Sequence, residues 1–195
     1  MTIIHERASP FAAPVKKFLI RRYQPEDVAG IYAATDESRQ ELGRWMNWMT
    51  PIYALKDAQT WVEYNLTAWE RGDQYQHVIV DAADQSIVGG CGLNVLSRAD
   101  LVYNLGYWVR TSRWGEGAAR QAALQLRDFG FKTIGLNRLE ILVAVGNARS
   151  QRVAESVGAR YEGVQAMRLK IRDQVQDARM YALINVAVAR ASAPA

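Results

Sequence analysis

Two glycines at the mouth of a helix constrain this chain more than any other feature. Residues 101–110, LVYNLGYWVR, read as a strand, and SRWGEGAARQA (112–122) follows at once. Glycine is about 1 kcal/mol worse than alanine inside a helix. Gly115 and Gly117 at a helix entrance therefore point to a special backbone conformation or to something approaching the backbone closely. Exposed N–H groups at a helix N-terminus, together with the helix dipole, form an anion site. Glycines keep side chains out of such a site, and Arg113 and Arg120 flank this one. A pyrophosphate suits it. A tight strand-to-helix turn needing positive φ explains the same residues.

The rest of the chain reads as one α+β domain. FLIRRY (18–23) alternates like a first strand. Pro25, Glu26 and Asp27 mark a helix start. Residues 38–51 read as a short helix and a loop. Residues 56–72 read as a helix with Trp61, Val62, Leu66 and Trp69 at helical spacing and Gly72 at its end. Strands are expected at 74–81, 85–96 and 101–110. After the glycine turn, Ala119, Ala122, Leu126, Phe129, Gly130 and Ile134 share one face, which predicts a helix over 116–134. LNRLEILVAV (136–145) reads as a strand buried on both faces. A short helix at 146–159 is entered through Asn147 and ended by Gly158, and 160–171 with 175–188 make a closing hairpin. The expected organisation is an N-terminal arm over 1–17, one domain over 18–188 and a frayed tail over 189–195.

Composition narrows the functional classes. The net charge of +4 admits an anionic ligand without demanding nucleic acid, and no basic run marks a nucleic-acid tail. No apolar run is long enough to span a membrane, and the N-terminus lacks the apolar core of a signal peptide. The single cysteine, Cys91, excludes a disulfide framework and a cysteine-rich metal site. A cytoplasmic protein without metal is expected. Buried free cysteine usually behaves as a small hydrophobe, and Cys91 has no histidine near it in sequence, so a covalent acyl-enzyme is not expected.

Three phosphate-binding classes compete for the turn. A P-loop needs a Gly-Lys-Ser/Thr ending, which is absent. A dinucleotide fold wants a third glycine where Arg120 stands, although Glu140 lies 25 residues beyond Gly115, where a ribose-binding acid would be sought. The third class is coenzyme A. The stretches NLGYWVRTSRWGEGAARQA, LNRLEILVAVGNARSQRVAESVGARYEG and RDQVQDARMYAL, in that order, resemble the GNAT acyltransferases, and within them the RimJ/RimL branch of ribosomal-protein N-acetyltransferases. The resemblance covers 18–185.

The resemblance implies a mixed, mostly antiparallel twisted sheet, split by the coenzyme-binding strand–glycine turn–helix unit. It implies acetyl-CoA as co-substrate and direct acetyl transfer to a primary amine, either a protein N-terminal α-amine or a small-molecule amine. A homodimer is compatible with it. Trp114, Gly115, Glu116, Gly117, Ala118, Ala119 and Arg120 become the pyrophosphate loop, with Trp114 standing where Gln or Arg is usual. Trp108, Val109 and Arg110 become the strand that bonds pantetheine, and a backbone N–H of Trp108 or Val109 the oxyanion donor. Asn147 becomes an N-cap with a second role at the pantetheine amide. Ser150 becomes the acid that protonates the departing thiolate, because the usual tyrosine is replaced by Ala154. Arg149 and Arg152 either contact adenosine phosphates or are simply solvated, and solvation is the expectation. Arg44, Trp45 and Trp48 are expected at the acceptor cleft.

No general base is assigned. Asn104 stands where relatives often have glutamate, and Glu140, His77, Glu162 and Asp177 have structural explanations. An N-terminal α-amine, with a pKa near about 8, is partly neutral already. The alternative function is a non-catalytic acyl-CoA-binding regulatory domain.

Overall fold

The computed structural model describes residues 16–72 and 74–191. All but the last two residues of the expected arm, and 192–195 of the expected tail, lie outside the described residues.

Seven strands form one sheet. They are β1 (Phe18–Arg22), β2 (Gln74–Asp81), β3 (Ile87–Ser97), β4 (Val102–Val109), β5 (Arg138–Ala144), β6 (Arg160–Ile171) and β7 (Gln174–Ile184). Their order is β1-β2-β3-β4-β5-β7-β6, and every pairing is antiparallel except β4 with β5. The one parallel contact follows from the connection. α4 (Ala118–Asp128) crosses between β4 and β5, and such a crossover returns the chain in the same direction. The α+β class and the split, mostly antiparallel sheet are both present.

Helices cover both faces. α1 (Asp27–Glu37) and α3 (Leu55–Arg71) pack on one side of β2 and β3, and α4 lies on the other. The alternation of β2 serves both layers. Val78 and Val80 join Ile31 and Val62, whereas Ile79 joins Ala122, Ala123 and Leu126 of α4. The buried face of α3 is Ala58, Val62, Asn65 and Ala68. Trp61, expected on that face, is 37% exposed, because the apolar stripe of α3 is wider than its contact with the sheet.

Two element boundaries differ from the sequence reading. α4 ends at Asp128, and Phe129–Ile134 widen into a π-helical turn before Gly135, at φ +81°. A Cβ on Gly130 would stand 3.2 Å from Leu93 and 3.3 Å from Leu136 there, a tight fit for any larger residue. β7 stops at Ile184, and Val186–Ala191 form α6 rather than the last residues of a strand and the start of a tail. Asn185 sets this change: its side chain donates to Leu136 C=O at 2.9 Å and accepts from Ala187 N–H at 3.3 Å.

Candidate active site

β4 and β5 pair at only three positions: Val102 with Arg138, Tyr103 with Leu139, and Asn104 with Glu140. Beyond Asn104, β4 stays paired to β3 through Val109, and β5 stays paired to β7 through Ala144. The sheet therefore opens between them. Arg110 N–H donates to Val88 C=O at 2.9 Å. Antiparallel pairing alternates, so the backbone edges of 106, 108 and 110 face β3 and those of 107 and 109 face the opening. The Val109 carbonyl there already accepts from the Trp114 indole at 2.9 Å. The N–H groups of Tyr107 and Val109 are the donors left facing the gap. The strand edge of Trp108 is turned away from it.

The glycine turn closes one end of this opening. Gly115 and Gly117 have φ of +82° and +84°, the left-handed region that side chains disfavour. A Cβ on either would point into open space. α4 begins at Ala118, and its first helical bond runs from Gln121 N–H to Gly117 C=O at 3.0 Å. The N–H groups of 118–120 at the helix mouth thus have no acceptor within the helix. Arg120, Arg149 and Arg152 surround a cavity of about 590 Å3 beside them. Arg149 lies 3.9 Å from the Trp114 ring centroid, beside the loop, and stays exposed.

α5 (Ala148–Ser156) brings the third part. Asn147 Oδ1 accepts from Ser150 N–H at 3.1 Å as an N-cap. Tyr107 reaches across from β4: its hydroxyl donates to Ser150 C=O at 3.0 Å and lies 3.1 Å from Ser150 Oγ. Burial pushes the Tyr107 phenol up to about 12, so it remains a proton carrier at neutral pH.

The structure gathers Trp108, Val109, Trp114, Gly115, Gly117, Ala118, Ala119, Arg120, Asn147 and Ser150 around this one cavity. Arg110 is not among them. Its backbone N–H belongs to Val88, and its guanidinium pairs with Glu37. Glu116 turns its carboxylate to Arg113 at 2.8 Å and Lys17 at 2.7 Å. Trp45 lines the same cavity as the loop, and Arg44 lies outside it, 3.4 Å from Glu41. Trp48 lines a second cavity of about 680 Å3, which meets the first at Met46, Tyr107 and Trp108. Tyr107 was missed by the motifs. Strand alternation carries the signal for it, since Tyr103 and Leu105 face the α4 core and Tyr107 continues their row.

The carboxylates near the split are occupied. Arg138 bonds Glu140 at 2.8 Å and also Glu162, which Arg160 reaches at 2.8 Å. Arg138 holds the Glu162 carboxyl down at about 2. Asn104 donates to Glu140 C=O, and Asp177 accepts from Met167 N–H at a bulge of β6. His77 stands opposite Cys91 in the β2–β3 register, but both are neutral. Burial drives the imidazole down to about 4 and the thiol well above its usual value. They do not form an ionised nucleophile–base pair. Among the described residues, no cluster of three or more metal-ligating side chains occurs, and no helix is long and apolar enough to cross a membrane.

The opened parallel pair, the glycine-mouthed helix and the α5 N-cap are matched by one family pattern, the acetyltransferase (GNAT) domain, over residues 17–160. The chain belongs to the GNAT acetyltransferases. Among its relatives, the Bacillus licheniformis protein named Uncharacterized N-acetyltransferase p20 is 26% identical over 147 residues, 75% of this chain and 82% of that one. The ribosomal-protein-serine acetyltransferase of Escherichia coli (strain K12) is 24% identical over 157 residues, 80% and 87% of the two chains. The structure of Mycobacterium smegmatis RimJ in complex with CoA-disulfide superposes with a TM-score of 0.79 at 25% identity, covering 88% of this chain and 83% of that one.

This GNAT acetyltransferase ties its glycine loop to the opposite helical layer. Glu37, at the end of α1, pairs with Arg110 and accepts from Ser112 N–H at 2.8 Å and Thr111 Oγ1 at 3.1 Å. Ser38 Oγ accepts from Thr111 N–H at 3.0 Å. Arg110 beside it holds the Glu37 carboxyl at about 2. Arg113 continues the chain of charges to Asp81 at 2.6 Å on β2. The turn at 111–113 is thereby fixed before the loop begins.

Proposed function

We infer that this protein transfers the acetyl group of acetyl-CoA directly to a primary amine, in the cytoplasm. The acceptor is a protein N-terminal α-amine, as in ribosomal-protein acetyltransferases, or a small-molecule amine. The observation that carries the reading is the three-residue pairing of β4 and β5, with a Cβ-free helix mouth at the end of the opening. The residues present fit the coenzyme. The N–H groups of 115–120 and three arginines suit a pyrophosphate. The N–H groups of Tyr107 and Val109 suit the amide-bearing arm.

In this reading the amine nitrogen attacks the thioester carbonyl, the C–N bond forms and the C–S bond breaks. A gap-facing β4 N–H receives the charge developing on the carbonyl oxygen. Ser150 Oγ–H protonates the departing thiolate and takes a proton back from solvent in the cavity, while Tyr107 holds the Ser150 hydroxyl in place. Water accepts the ammonium proton: Glu140 and Glu162 are bound to arginine, and Asp57 at the second cavity is engaged by Ala54 N–H. Holding both reactants in adjoining cavities supplies the remaining advantage.

Calorimetric titration with acetyl-CoA tests the root of the reading. Wild-type binding that Gly117→Trp abolishes supports the loop as the coenzyme site. Absence of binding by the wild type overturns it. Thiol release with added amines then separates an enzyme from a coenzyme-binding module.

A further inference from the structure

The second cavity is walled by rings. Trp48 tilts against Tyr53 and Trp108 at centroid distances of 6.0 and 5.9 Å. Trp61 stacks with Tyr64 at 6.3 Å and meets Tyr23 edge-on at 6.4 Å. Trp48, Trp61 and Tyr64 are 43%, 37% and 44% exposed, so these rings keep open surface at the cavity.

Charge is nearly absent from the lining. Asp57 is the one charged side chain there, and its Oδ2 already accepts from Ala54 N–H at 2.7 Å to start α3. The inner wall is amide. Gln76, 8% exposed, donates to Asn94 Oδ1 at 2.8 Å and Gln74 Oε1 at 3.2 Å. The glycines of β3 make room for these groups. A Cβ on Gly92 would stand 2.0 Å from Gln76 Oε1, and one on Gly90 2.6 Å from Trp108 Nε1.

Ring faces attract an ammonium group and pack against flat apolar bodies. A polyamine would bring several charges to one committed carboxylate, and an acidic acceptor would find no cation. Resting on the acetyltransferase reading above, we propose that the acceptor is a primary monoamine borne on an aromatic body. A free arylalkylamine and an aromatic N-terminal residue share this chemistry.

The experiment measures thiol release from acetyl-CoA with tryptamine, phenethylamine, a Phe-initiated tetrapeptide, a Ser-initiated tetrapeptide and spermidine. Calorimetric titration of tryptamine into the CoA-saturated protein accompanies it. The expected kcat/KM for the aromatic amines exceeds that for spermidine and the Ser-initiated peptide by about tenfold or more, the discrimination one well-filled pocket supplies. Trp48→Ala and Trp61→Ala are each expected to raise the aromatic acceptor's KM about fivefold, with the acetyl-CoA Kd unchanged. The ratio of tryptamine to Phe-initiated peptide tells the two sources apart. Spermidine or the Ser-initiated peptide matching the aromatic amines overturns the proposal. So does an aromatic KM or affinity that neither variant moves, or tryptamine that neither binds nor reacts. Tryptamine that binds through Trp48 without releasing thiol supports the pocket assignment and overturns only the transfer reading.

Discussion

The Tyr107 hydroxyl lies 3.1 Å from Ser150 Oγ, joining the strand that borders the sheet opening to the helix that closes it. Ser150 is thus held in place from the far wall. Ser150→Ala is expected to lower kcat about tenfold, less than general acids contribute with poorer leaving groups. Tyr107→Phe is expected to give a smaller loss of the same kind. Steady-state kinetics check both, with the acetyl-CoA KM near wild type. Unchanged kcat in both variants would mean that the thiolate departs unaided.

Gly115→Ala tests the backbone rather than the space around it. The added methyl meets nothing within 4 Å, but φ is +82°. Forcing an L-residue into that region is unfavourable by about 1–2 kcal/mol. Lower thermal stability and weaker acetyl-CoA binding are the expected outcome, read by calorimetry. A fully wild-type variant would show that the loop relaxes elsewhere.

The Glu37 latch predicts an acid-sensitive coenzyme loop. Arg110 lowers its carboxyl from 4.5 to about 2 in the folded protein. A depressed folded value gives stabilisation that is present above the unfolded value and lost as pH falls through the folded one. The contribution should fade between pH 4.5 and about 2. Glu37→Gln is expected to reduce that part of the acid dependence and to increase amide exchange at 111–113. Denaturation curves across this window, with hydrogen exchange, measure it.

His77 predicts pH dependence of stability without pH dependence of catalysis. Its ring lies 5.0 Å from Trp69 and 5.4 Å from Phe129, and burial lowers it from 6.5 to about 4. The unfolded chain binds the extra proton between these values, so stability falls as pH drops from 6.5 to about 4. His77→Gln should flatten that slope in urea titrations. The pH profile of kcat/KM should keep its shape, and a displaced profile would return His77 to the list of bases.

The sequence by itself determined the local parts. Gly115 and Gly117 suit left-handed backbone, and Asn147 caps a helix. These signals are local because sterics and hydrogen bonding within a few residues decide them. The order of three motifs was enough to reach the family.

Only the tertiary structure decided which parts meet. In sequence Arg110 belongs to the strand before the loop and Glu116 to the loop itself, yet Glu37 and Lys17, 73 and 99 residues away, hold their side chains. Trp45 and Trp48 are three residues apart but line different cavities, because α2 (Arg39–Trp45) ends between them. The parting of β4 from β5 is written in neither strand. It arises because each strand keeps its pairing with its other neighbour while the ladder between them stops at Asn104. Long-range pairing of this kind, not local preference, opens the space in which Tyr107 reaches Ser150.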